Sequence, residues 1–161
     1  MSVHLALPSQ HFAFTRSPEL NVLFFAFLLN FPWEFMQVPL FEGVAQMAHW
    51  QGVKLCALAA VGDAIISSTA YGIVAATAKN RYWMLAPTAR QIALFIAIGV
   101  AVTVLIEWLV LRGGWWISWR YTAAMPVLPV LGVGLTPILQ WLVLPPLLVA
   151  IVRRQLTGSQ A

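Results

Sequence analysis

Three carboxylates, Glu34, Asp63 and Glu107, sit inside otherwise apolar stretches of the chain. Each stretch reads as a membrane-spanning helix. An ionised Asp near a bilayer centre costs about 3 kcal/mol on insertion scales, so helices that carry acids turn them inward, toward a partner, a proton or a ligand. Three such acids with few basic residues nearby cannot all stay ionised in a low dielectric. A proton or a bound cation must neutralise at least one. Three kinds of chemistry fit. The acids could serve as a general acid beside a general base, as a proton or cation site, or as charges held for the Lys or Arg of a partner.

Composition sets the class of fold that must position them. The chain has 161 residues, 61% of them hydrophobic and 9% charged, with a mean hydropathy of +0.83. A soluble domain carries about 25% charged residues. The expected fold is all-α, a polytopic membrane protein built as a four-transmembrane-helix bundle with a proline-broken fourth helix. One integral membrane domain takes the whole of 1–161, with spans at about 20–41, 53–78, 90–112 and 126–152. Each is long enough for a hydrocarbon core of about 30 Å. The second half of span 1 carries Glu34, Gln37 and two prolines, so a half-span followed by an interfacial helix is its alternative.

Several classes drop out. The single Cys, Cys56, excludes an internal disulfide and any Cys-pair metal motif. The net charge of +4 comes without a basic run. Its Lys and Arg residues flank apolar segments, where they anchor helices at headgroups, so the lipid bilayer is the expected partner and nucleic acid is not. No cofactor is implied. The Gly132/Gly134 pair lacks the third Gly and the preceding soluble strand of a dinucleotide fingerprint. Met1 to Ser17 hold no Lys or Arg before Arg16, and the apolar run that follows has no small-x-small cleavage site, so that run is expected to be a retained span. Arg16, Lys79, Arg81, Arg90, Arg153 and Arg154 fall on one side, and Lys54, Arg112 and Arg120 on the other. That asymmetry predicts a cell membrane protein, in the bacterial inner membrane, with both termini cytoplasmic and loops one and three outside.

Helical spacing gives each span one polar stripe. Asn30, Glu34 and Gln37 share a face of span 1, and Asp63, Ser67 and Tyr71 a face of span 2. Gly99, Thr103 and Glu107 repeat at four in span 3, as do Gly132, Thr136 and Gln140 in span 4. From the outer ends, Glu34 lies about 9 Å deep, Asp63 about 14 Å and Glu107 about 7 Å, with Asn30 and Thr136 near about 15 Å. One polar interior in the outer half follows, with Glu34, Asp63 and Glu107 as its reactive groups. Asn30, Gln37, Ser67, Tyr71, Thr103, Thr136 and Gln140 are its ligand-binding residues, with Arg120 at the mouth.

Three further features frame this site. Ala60, Ala64, Ser68, Gly72 and Ala76 recur at four-residue spacing, which favours close helix approach and puts span 2 at the bundle centre. Span 4 carries Pro126, Pro129, Pro137, Pro145 and Pro146. Pro137 and Pro145 would remove the bonds to the carbonyls of Val133 and Trp141, and the freed oxygens could bind a cation or a hydroxyl. Loop three reads Arg112-Gly113-Gly114-Trp115-Trp116-Ile117-Ser118-Trp119-Arg120-Tyr121, an aromatic belt at the headgroups or a lid over the pocket. His49 beside Trp50 is interfacial, and His4 and His11 decide nothing.

The leading expectation is an intramembrane acid–base enzyme of isomerase, cyclase or hydratase type. Its substrate would be lipid-soluble and isoprenoid-like, with Trp and Phe faces to stabilise a carbocation. The first alternative is a cation- or proton-handling protein, a carrier or a metal site, for which His49 could add an imidazole. The second is a small structural subunit, working as a homo-oligomer or within a larger membrane complex.

Overall fold

The computed structural model describes residues 16–113 and 119–158. Helix α1 spans Pro18–Gln37, α2 His49–Ala78, α3 Ala89–Leu111 and α4 Leu135–Gly158. Short 3-10 turns at Val38–Leu40 and Trp83–Leu85 follow α1 and α2. All four helices are long and apolar enough to cross a membrane. Among the described residues there is no strand, only isolated bridges.

Local chemistry explains the helix ends. The Ser17 side chain accepts from the Leu20 N–H, and Pro18 takes the first position, where no N–H is needed. α2 stops where Lys79 adopts a left-handed φ of 49°, and the Asn80 N–H donates to the Ala75 carbonyl at 3.0 Å. Thr88 and Gln91 form a reciprocal capping box at the start of α3.

Consecutive helices are neighbours, and α4 closes the ring against α1. The end where α1 begins and α4 ends is packed with apolar side chains. Val22, Val74, Phe95 and Val152 meet Trp83 and Met84 of the second loop there. Ala60 and Ala64 are buried, while Gly72 and Ala76 are exposed. The small-residue stripe therefore serves packing in its first half and turns outward in its second, because α2 does not run down the middle of the ring. At about 45 Å its 30 residues exceed a bilayer core, and the first turns, with Trp50, are exposed.

The fourth span differs from expectation. Residues 126–134 are not helical. They form a tight loop closed by the Val127–Gly134 bridge, with the Leu135 N–H donating to the Pro126 carbonyl at 2.7 Å and Gly132 at a φ of 67°. Pro137 is thus the third helical residue. An N–H in the first turn has no intrahelical acceptor, so its loss breaks nothing, and the expected break at Pro137 is corrected. The helix is continuous through Pro145 and Pro146. Those two prolines leave the carbonyls of Trp141 and Leu142 without their usual donors.

At the opposite end, loops one and three are stitched together. The Glu42 N–H donates to the Arg120 carbonyl and the Thr122 N–H to the Leu40 carbonyl, both at 3.0 Å. The expected aromatic belt falls partly on Trp115 and Trp116, which, like His4 and His11, lie outside the described residues.

Candidate functional site

Two of the three acids meet directly. α1 presents Asn30, Glu34 and Gln37 on one face, as their spacing requires. α2 adds Asp63 and α4 adds Gln140. The Gln140 amide is the hub. Its Nε2 donates to Asn30 Oδ1 at 2.6 Å, to Asp63 Oδ2 at 2.8 Å and to Glu34 Oε1 at 3.3 Å. Gln37 Nε2 donates to the same Glu34 oxygen at 2.9 Å. Asn30 Nδ2 donates back to the Ala26 carbonyl at 2.8 Å, which orients Asn30 Oδ1 toward Gln140. The Glu34 and Asp63 carboxyl groups lie within hydrogen-bonding reach of each other. Lys54, Arg112 and Arg120 are exposed, and Arg81 pairs with Glu19 at the other end of the bundle, at 2.7 Å.

Glu107 is buried beside this pair, with its own donors. Trp119 Nε1 donates to Glu107 Oε2 at 3.0 Å, and the Tyr121 hydroxyl donates to the same oxygen. The Gly134 N–H in turn donates to the Tyr121 hydroxyl at 2.9 Å. Glu107 lies close enough to influence both Glu34 and Asp63 electrostatically. Tyr121 therefore ties α3, loop three and the start of α4 into one corner. Neither Trp119 nor Tyr121 is identifiable as an acid partner from sequence, where both look like headgroup aromatics.

Tyr121 gives a pH-dependent prediction. Burial, and then the neighbouring Glu107, hold its hydroxyl above the ordinary phenol range. Folding favours the protonated phenol, so this contribution is complete below pH about 10 and fades as the pH rises beyond it. Tyr121→Phe should lower stability near neutrality by about 1–3 kcal/mol, because Glu107 and the Gly134 N–H each lose a partner. The alkaline loss should flatten in the variant. Unfolding midpoints for both proteins from neutral to alkaline pH check this, and parallel curves would remove Tyr121 from the corner.

The remaining expected residues divide. Ser67 is buried and, with Asn30 and Gln140, lines a cavity of about 10 Å³ bounded by Trp141 and Pro145, which is space for about one water. Thr103 is buried one turn from Glu107 on α3. The Thr136 hydroxyl donates to Met125 Sδ at 3.3 Å. Tyr71 does not join the acids, and that expectation is corrected. Its hydroxyl donates to the Arg81 carbonyl, and its ring stacks on Trp83 with centroids 6.0 Å apart. Eight residues along α2 carry it about 12 Å from Asp63, into the opposite end of the bundle. Arg120 is also corrected, because its side chain is exposed and its backbone carbonyl makes the contact to loop one. Gly132 precedes α4 and does not share its polar stripe. His49 is exposed at the start of α2. Among the described residues, no three His, Cys, Asp or Glu side chains converge as a metal-binding group.

Compared with protein-family models, curated proteins and solved structures, the chain matches none.

Proposed function

We propose that this is a proton-handling membrane protein whose exchangeable site is the Glu34–Asp63 pair. One observation carries the reading: two carboxyl groups from neighbouring helices lie within hydrogen-bonding reach, and among the described residues neither makes an ion pair with Lys or Arg. A carboxylate only accepts, so a hydrogen bond between two carboxyl groups needs one proton, and the pair titrates as a unit. Gln140 and Gln37 supply neutral donors that hold the oxygens in place without fixing the charge. In this reading the protein sits in the bacterial inner membrane with both termini cytoplasmic, as the Lys and Arg asymmetry favours. The pair then lies nearer the outer face.

An acid–base enzyme acting on a lipid-soluble substrate would use the same two groups. The cavity lined by their hydrogen-bond partner Gln140 and by Asn30, of about 10 Å³, has room for about one water and so favours the proton over a lipid-sized ligand. A structural-subunit role draws less support, because the acids find donors within this chain.

Infrared difference spectra of the purified protein across pH about 4 to about 9 test the reading. The carbonyl stretch of a protonated carboxylic acid should persist above pH about 7, where exposed carboxyls are ionised, shift in Glu34→Gln, and lose intensity in the Glu34→Gln/Asp63→Asn double variant. No such band above pH about 7, or a band that neither variant alters, would defeat the proposal.

A further inference from the structure

The pair sits in an oxygen-rich cluster that has more acceptors than donors. Gln140 Nε2 carries two hydrogens and faces three oxygens, those of Asn30, Glu34 and Asp63, within 3.3 Å. Gln37 adds a stronger sign. Its Nε2 bond to Glu34 places the amide at the cluster. Its Oε1 is buried and has no hydrogen-bond partner, on a residue only 7% exposed. A buried, unpartnered carbonyl costs free energy unless something electropositive meets it. Among the described residues, the groups that act on Glu34 beside it are Asp63, Gln140 and, from α3, Glu107, and Cys56 faces Glu34 in turn. None is a cation.

We propose that the oxygens of Asn30, Glu34, Gln37 and Asp63 form a binding site for a monovalent alkali cation of sodium's size, taken up in exchange for the shared proton. The exchange rests on the proton reading above and names its counter-ion. One proton leaves the pair as one cation enters, so the net charge of the site is unchanged. Hard cations take oxygen ligands, and neutral amide oxygens suit a single positive charge. A divalent ion would want more carboxylate than the two present. The cavity walled by Asn30, Ser67 and Gln140 has room for about one water as a further ligand.

The test is radioactive sodium binding to the detergent-solubilised full chain, with choline chloride holding ionic strength constant, together with unfolding temperatures in sodium, lithium and choline salts. Sodium should bind saturably and raise the unfolding temperature above that in choline, and both effects should fade as the pH is lowered. Gln37→Leu should weaken sodium binding about tenfold or more and keep the carboxylic-acid infrared band. Should Gln37→Leu fail to fold, competition between protons and sodium on the unaltered protein decides the matter. Equal behaviour in sodium and choline at every pH, with the infrared band present, would overturn the cation site and leave the proton pair standing. Absence of the band would remove both.

Discussion

Asp63→Asn should remove one of the two titrating carboxyls and leave the bundle folded. The new side chain has nearly the same volume, and its carbonyl can still accept from Gln140, which now bonds Asp63 Oδ2 at 2.8 Å. What disappears is the carboxyl group proposed to share a proton with Glu34. Proton uptake on acidification, followed with an indicator dye in weakly buffered detergent solution, should fall by about one proton per molecule. Stability should stay within about 1 kcal/mol of the parent, because no buried charge is left unpaired. Glu34→Gln should act in the same direction, and the double variant should also lose the proton that the remaining carboxyl takes up in either single variant. Unaltered proton uptake in Asp63→Asn would mean that the pair is only a packing element.

The largest effect on stability is expected at Gly99. A Cβ built there would lie 1.8 Å from Cε3 of Trp141, whose ring is 2% exposed. The indole occupies the space that a side chain on α3 would need. Gly99→Ala must push α4 away or force Trp141 off its rotamer, at a cost of about 3 kcal/mol, the upper part of the range for overpacking. Trp141 adjoins Gln140, so the shift also loosens the hub that joins Asn30, Glu34 and Asp63. The unfolding midpoint in a denaturing detergent titration should drop, and Gly99→Ala/Trp141→Leu should regain part of it by reopening the space. An unchanged midpoint in the single variant would show that the ring does not rest on Gly99.

Much of the fold is legible along the chain because a helix has a fixed period. Long apolar runs at that period allow little but helices, and α1, α2 and α3 fall within a few residues of the expected spans. The same period puts Asn30, Glu34 and Gln37 together, since their spacing is local. It fails at 126–134, where an apolar segment with prolines and glycines reads like a helix start. Hydropathy does not distinguish a loop whose backbone is satisfied by its own bridge from a helix that begins there. Pro137 reads as a breaker only for a helix that begins at Pro126, whereas the helix begins at Leu135.

Burial cost and helical period are properties of single segments, so local pattern alone makes this protein helical and apolar and sets which face of each helix carries polar groups. The tertiary structure decided which faces meet. The axial offset and rotation of one helix against another come from contacts such as Trp141 on Gly99 and from the strap between Leu40 and Thr122. Those contacts join residues far apart in the chain, and no local pattern encodes them. They turn Gln140, one polar residue among several, into the centre of the carboxylate pair, give Glu107 to Tyr121, and send Tyr71 to the far end of the bundle.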